Sequence, residues 1–342
     1  MNTIKSREVH LASRPQGIPT QENFRVVENI VPAPADHELL VQNLWMSVDP
    51  AMRPRMVDRK SYISPYQIGK VLDGRAVGKV IRSNNADYRV GDYVFGSQGW
   101  REYFVTRGEG LSKIDPGGAA LEAYLGALGM PGLTAYAGLL RIGEIKEGET
   151  VFISAAAGAV GSIACQIAKI KGCRVVASAG SDEKISWLKD VVKVDEAFNY
   201  KSVPDIKAEI ARLCPDGIDV NFENVGGEHF EGALAQMNDF GRIVLCGLIS
   251  TYNETEAEPG PRGMFLAIMR RLKIQGYIVI DHLDLLDRFR AEMAEWIRDD
   301  QMHWKETVFD GIEKAPDALI GLFRGDNFGK MLVKISAEQG TT

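Results

Sequence analysis

Residues 154–161 of this 342-residue chain read SAAAGAVG and lie between an apolar run at 151–154 and a helix-periodic run at 160–170. Ala156, Gly158 and Gly161 take three small-residue positions in what reads as a strand-to-helix turn. A turn without bulky side chains lets backbone N–H groups at a helix start approach an anion, which the positive end of the helix dipole favours. The expected anion is the pyrophosphate of a dinucleotide. A tight turn that binds nothing would use the same residues, so the surrounding strand–helix–strand pattern carries the reading. The next apolar run, 174–179, ends in Gly180-Ser181-Asp182-Glu183-Lys184. Asp182 stands where an acid would accept from a ribose 2′-hydroxyl, but Ser181 reads better as a helix N-cap followed by two first-turn acids. Lys184 is then the candidate for a 2′-phosphate, the group that separates NADP from NAD; its plain alternative is a solvated helix lysine.

These residues need a scaffold, and the pattern supplies one. From about residue 121 short apolar runs alternate with helical periods: strands at 151–154, 174–179, 197–199, 220–223, 242–246 and 273–280, about six in all. That alternation predicts a doubly wound parallel sheet in an α/β chain. The first third differs. Residues 38–48 and 75–81 are alternating or β-branched and broken by turn signals such as Ser83-Asn84-Asn85 and Val90-Gly91-Asp92, so a compact β-rich domain is expected. After an amphipathic helix near 285–299, an apolar strand at 331–335 is placed to return to that first domain.

Composition excludes several classes. Forty Lys and Arg against 46 Asp and Glu give a net charge of -6, with no basic tract for a nucleic acid. Cys165, Cys173, Cys214 and Cys246 form no C-x-x-C pair, and the five histidines stand far apart with no H-E-x-x-H, so no metal site is expected. No G-x-S-x-G elbow occurs. The uncharged stretches 124–140 and 151–168 are interrupted by Gly129-Met130-Pro131-Gly132 and by Ser154, Gly158 and Gly161, which suits buried elements better than membrane spans. The first 17 residues carry four charges and no apolar stretch, so a cytoplasmic protein is expected.

With these blocks in view, the chain resembles the medium-chain dehydrogenase/reductase superfamily: a β-rich start containing YRVGDYVFG at 88–96, a late dinucleotide fold and a returning tail. Residues 128–136 (LGMPGLTAY), 155–161, 173–184, 223–227 (ENVGG), 246–253 (CGLISTYN), 275–279 (QGYIV) and 327–330 (NFGK) resemble its zinc-free branch of prostaglandin reductases, plant alkenal double-bond reductases and bacterial curcumin reductases. The resemblance runs over nearly the whole chain. It implies a GroES-like catalytic domain at 1–125 and 305–342 around a Rossmann NADP-binding domain at 126–304, with no zinc.

For the cofactor, NADPH, the resemblance implies Gly158, Ala159, Val160 and Gly161 at the pyrophosphate and Lys184 with Tyr200 at the adenosine 2′-phosphate. Around the ribose and nicotinamide it implies Asn224, then Cys246, Gly247, Leu248, Ile249, Ser250, Thr251 and Tyr252, the backbone of Tyr277, Ile278 and Val279, and Asn327. Taken alone, Tyr200 reads as a core-edge tyrosine, Asn224 as part of a turn and Asn327 as a loop residue.

The implied activity is NADPH-dependent reduction of the carbon–carbon double bond of α,β-unsaturated aldehydes and ketones, in a cleft between the domains. Tyr252 is the candidate catalytic hydroxyl for the enolate oxygen, the ribose 2′-hydroxyl being the other candidate donor. The family motif Asp-Pro-Tyr-Met-Arg reads Asp49-Pro50-Ala51-Met52-Arg53 here, which bears on substrate size. A quinone oxidoreductase of the same superfamily and a non-catalytic NADPH-binding sensor are the alternatives. A homodimer is also implied, pairing edge strands at 273–280.

Overall fold

The computed structural model describes residues 3–115, 117, 119–256 and 260–336; the tail residues 337–342 lie outside them. Two compact units emerge, Met1–Gly126 with Glu306–Thr342, and Ala127–Lys305. In chain order the first unit contributes β1 (Ile4–Leu11), β2 (Phe24–Val31), β3 (Leu39–Ser47), β4 (Ala76–Ser83), β5 (Tyr93–Gly96), β6 (Tyr103–Thr106) and β7 (Ser112–Ile114). The second follows with α1 (Met130–Ala137), β8 (Thr150–Ile153), α2 (Gly161–Ile170), β9 (Arg174–Ala179), α3 (Asp182–Asp190), β10 (Glu196–Asn199) and α4 (Ile206–Leu213). It continues through β11 (Ile218–Glu223), α5 (Gly227–Gln236), β12 (Met237–Leu245), α6 (Phe265–Met269), β13 (Lys273–Gly276) and α7 (Leu286–Arg298). The chain then rejoins the first unit with β14 (Glu306–Asp310), α8 (Ala315–Arg324) and β15 (Lys330–Lys334).

In the first unit β1 and β2 form a hairpin, and a seven-stranded sheet runs β14-β15-β3-β4-β5-β7 with β6 on β3. β3 is central because it is apolar on both faces: Leu39, Leu40, Val41, Leu44 and Met46 are all buried. The returning β15 pairs antiparallel with it, Leu332 opposite Ser47. Helix α8 starts with Pro316 in its first turn and stops at Gly325, whose φ of 78° provides the left-handed C-cap.

The second unit carries a six-stranded sheet in the order β10-β9-β8-β11-β12-β13, every neighbouring pair parallel. In order of appearance this is 3-2-1-4-5-6, so the connection reverses direction between β8 and β11, the place where ligands bind in open α/β sheets. Its core packs Phe152, Val176, Phe198, Phe222 and Ile243 in or beside the strands. Helix α7 closes one side with Phe289, Met293 and Trp296 buried, the four-then-three spacing of one helical stripe.

Two strand boundaries differ from the sequence reading by more than two residues, and the first is the strand expected at 242–246, which already begins at Met237. The strand expected at 273–280 ends at Gly276, and Val279–Leu285 form a short 3-10 stretch. Tyr277 leaves the sheet because its hydroxyl donates to the Thr134 carbonyl at 2.7 Å. Its ring occupies space that Gly138 leaves, since a Cβ there would lie 2.4 Å from the hydroxyl. Among the described residues no helix is long and apolar enough to cross a membrane.

Candidate functional site at the carboxyl rim of the parallel sheet

The turn from β8 to α2 sits at the reversal point. Ala155 adopts φ 49°, in the left-handed region that favours glycine, while Ala156 N–H is anchored to Ser178 O at 2.9 Å across to β9. A Cβ on Gly161 would stand 2.4 Å from Ala155 O and 2.8 Å from Ala156 Cα, so only glycine lets α2 start this close beneath the turn. Gly158, Ala159 and Val160 cap the turn with minimal or apolar side chains and are half-buried. Helix α2 has no side-chain cap and no acid in its first turn. The positive end of its dipole is therefore not met by the helix's own side chains.

At the end of β9 the chain behaves differently. Ser181 is the N-cap of α3, extended at φ -157°, and its Oγ accepts from Lys184 N at 3.3 Å. Asp182 accepts from Asn199 Nδ2 at 2.8 Å, an intramolecular use that agrees with capping over ribose binding. Lys184 is half-buried on the first turn. Tyr200, just past β10, brings its hydroxyl to Gly180, where a Cβ would lie 3.0 Å away. Its ring meets His229 edge-on at 5.1 Å. Desolvation lowers the His229 pKa to about 4, so the ring is neutral at ordinary pH. Lys184, Tyr200 and Gly180 thus share the β9–β10 end of the rim.

The loops after β11 and β12 are tied together. Asn224 Nδ2 donates to Ser154 O at 2.8 Å, and Asn224 N–H donates to Ser154 Oγ at 2.8 Å. Ile249 N–H reaches Asn224 O at 3.1 Å, and Ser250 uses both its N–H and its hydroxyl on Val225 O. A short 3-10 turn, Ile249–Thr251, follows, with Tyr252 as its C-cap. The Tyr252 side chain is half-buried, and a Cβ on Gly247 would lie 3.3 Å from its hydroxyl. β12 and β13 are parallel neighbours with Leu245 opposite Gly276, so the stretch 246–252 and the chain after β13 leave the sheet at the same rim. Asn327 belongs to the other unit, on the turn before β15, where its amide donates to Gly329 O at 2.9 Å.

Two groups escaped the sequence reading. Glu223, the last residue of β11, is fully buried, and its carboxylate accepts from Ser154 Oγ at 2.8 Å, Val225 N at 2.8 Å, Gly226 N at 2.9 Å and Asn221 Nδ2 at 3.1 Å. Burial pushes this carboxyl up from its ordinary range, against the pull of those four donors. The signal was present, since Glu223 shares one face of β11 with Asp219 and Asn221, and an acid buried there must be paired. In the first unit Lys330, also buried, donates to Val48 O at 2.8 Å, Asp49 Oδ1 at 2.9 Å and Met331 O at 3.0 Å. That ammonium pins the turn carrying exposed Ala51 to β15.

Among the described residues no group of three or more His, Cys, Asp or Glu is placed to hold a metal ion. Residues 7–114 match a family described as the N-terminal domain of oxidoreductase, and residues 159–299 match one described as zinc-binding dehydrogenase. The chain is 42% identical to an NADPH-dependent curcumin reductase of Escherichia coli, covering 98% of each chain. It is 40% identical to an NADP(+)-dependent 2-alkenal reductase of Nicotiana tabacum over 98% of this chain and 99% of the relative. The crystal structure of CurA from Vibrio vulnificus in complex with NADPH superposes with a TM-score of 0.92 at 43% identity, covering 97% of this chain and all of that one.

Proposed function

The chain belongs to the medium-chain dehydrogenase/reductase superfamily, in the branch of curcumin, alkenal and prostaglandin reductases, and from that premise we propose that it reduces the activated double bond of α,β-unsaturated aldehydes and ketones with NADPH. It is an NADP-dependent oxidoreductase, and its relatives are named as curcumin, 2-alkenal and prostaglandin reductases. The observation that supports the cofactor is the open β8–α2 turn. Its glycines leave room where a Cβ at position 161 would strike the backbone, and its helix start has no acid and no side-chain cap. A pyrophosphate suits that end of the helix.

The residues of this rim fit the rest of the nucleotide. The backbone of Gly158, Ala159, Val160 and Gly161 holds the pyrophosphate, and Lys184 and Tyr200 hold the 2′-phosphate at the β9–β10 end. Asn224, the stretch 246–252 and the backbone of 277–279 serve the ribose and nicotinamide. Bound NADPH supplies a hydride to the carbon β to the substrate carbonyl. Tyr252 donates its hydroxyl to the carbonyl oxygen, on which negative charge grows in the transition state, and protonation of the α carbon completes the reduction. A donor already aimed at that oxygen does more for the transition state than for the bound substrate, so no metal is required of this chain.

The test follows NADPH absorbance with an enone, with a quinone and with no acceptor. Turnover of enones but not quinones is expected; quinone turnover alone, or binding without turnover, overturns the reading. A homodimer is part of the same proposal. β13 is an edge strand of its sheet, and α6 just before it exposes Phe265, Ile268 and Met269. A monomer mass by light scattering at micromolar concentration would remove it.

A further inference from the structure

A buried carboxylate is costly unless donors fill its lone pairs, and Glu223 is filled entirely by uncharged ones. Oε1 collects the hydroxyl of Ser154 from the loop after β8, together with the N–H groups of Val225 and Gly226 from the loop after β11. The main-chain carbonyl of the same residue accepts Cys246 N–H and Gly247 N–H, each at 3.0 Å, from the loop after β12. Ser154 passes the restraint on, since its hydroxyl accepts Asn224 N–H and its carbonyl accepts the Asn224 amide. Three loops from three adjacent central strands therefore meet on one residue. On the far side, Asn221 gives its Nδ2 to Oε2 while its own Oδ1 is buried with no hydrogen-bond partner among the described residues.

We propose that Glu223 is the positioning residue of the nucleotide site: it locks the loops after β8, β11 and β12 to one another, so that Asn224 and residues 246–252 are held ready before the cofactor arrives. This rests on the reading of those loops as the NADPH-holding rim. Glu223 acts through Ser154, Asn224 and Gly226, and the restraint is one of hydrogen-bond geometry.

The isosteric amide separates geometry from charge. In Glu223→Gln the retained oxygen accepts the same three donors, and a half-turn of the Asn221 amide offers its orphaned Oδ1 to the new NH2 group. In Glu223→Ala the Ser154 hydroxyl and the Val225 and Gly226 N–H groups lose their acceptor. Amide hydrogen exchange of the full-length protein reads the loops directly, and fluorescence titration with NADPH reads the site. Glu223→Ala should speed exchange at 224–227 and 246–252 while leaving 181–184 unchanged, and raise the NADPH Kd at least tenfold. Glu223→Gln should restore exchange and Kd to within about threefold of the parent. Should the alanine variant fail to fold, Ser154→Ala removes one strut and is expected to raise the Kd about three- to tenfold.

Two results would overturn the assignment: a Glu223→Ala or Ser154→Ala protein that melts lower but binds NADPH and exchanges in these loops like the parent, or a Gln variant as impaired as alanine. A parent protein that does not bind NADPH would sink the functional reading alone, because the exchange comparison still decides whether Glu223 holds the loops.

Discussion

Two consecutive strand-to-helix turns on one rim are built in opposite ways. The β9–α3 turn is closed by its own residues: Ser181 caps the helix, two acids occupy the first turn, and Asp182 is engaged by Asn199. The β8–α2 turn has neither cap nor acid, only alanines, glycines and a valine held close to the strand. Both helices present the same dipole, so the difference is in what satisfies it. A closed turn contributes stability to the free protein, whereas an open one reserves that contribution for an anionic ligand. A third turn, β11 to α5, takes an intermediate course, with Glu223 collecting N–H groups just ahead of the helix.

The comparison can be broken by separating turnover, affinity and stability along this rim. The largest effect is expected past β12, where Tyr252→Phe should lower kcat by on the order of a hundred- to a thousandfold while the NADPH Kd stays within about threefold, since the ring remains. A Phe variant with most of its turnover would end the proposed role, and one that mainly loses affinity would assign Tyr252 to binding. Closing the open turn comes next. Ala159→Asp places an acid where an anion is expected, a repulsion of several kcal/mol and so on the order of a hundredfold in NADPH affinity. The same acid at a helix start should leave the stability of the free protein unchanged or higher by about 0.3 to 1 kcal/mol. Retained affinity in calorimetry would show that the turn holds no phosphate.

Lys184→Ala sharpens the contrast from the closed side. Loss of a charge-assisted contact of about 1.5 to 3 kcal/mol should weaken NADPH binding roughly ten- to a hundredfold and leave the weaker NADH binding nearly unchanged. Equal losses would make the lysine structural. Ser181→Ala should cost about 1 kcal/mol through the lost cap, seen as a Tm lower by about 2 to 4 °C. If the melt did not move, the turn would not be closed by that hydroxyl.

The smallest effect lies beside the third turn and depends on pH. The folded pKa of His229 is lowered from 6.5 to about 4 by desolvation, so between those values the unfolded chain takes up a proton that the folded chain does not. Stability from this group is present above pH 6.5 and is lost as pH falls toward 4, by just under about 1 kcal/mol at pH 6. His229→Leu should flatten that part of a Tm-against-pH curve, and an unchanged slope would place the loss elsewhere.

Much of the α/β unit was legible because its signals are local. Alternating apolar runs and helical periods mark six strands, and the small residues of 154–161 mark the turn between the first strand and its helix. Ser181 was legible as a cap because capping needs only the residue and the acids after it. The end of β13 was not legible. Residues 273–280 are apolar enough to continue the strand, and what stops it is a bond from Tyr277 to Thr134, 143 residues earlier. The first-unit ammonium of Lys330 was equally silent, because its acceptors Val48 and Asp49 lie more than 280 residues away.

By itself the sequence determined the order of strands and helices, the small-residue turn and the residue types on the rim, since backbone periodicity and steric demand act over a few neighbours. Only the tertiary structure decided which strands are neighbours, that the sheet reverses between β8 and β11, and that Ser154, Glu223, Asn224 and Cys246 converge there. A fully buried carboxylate such as Glu223 is tolerable only when several segments deliver donors to it at once, and that condition is not written in any one of them.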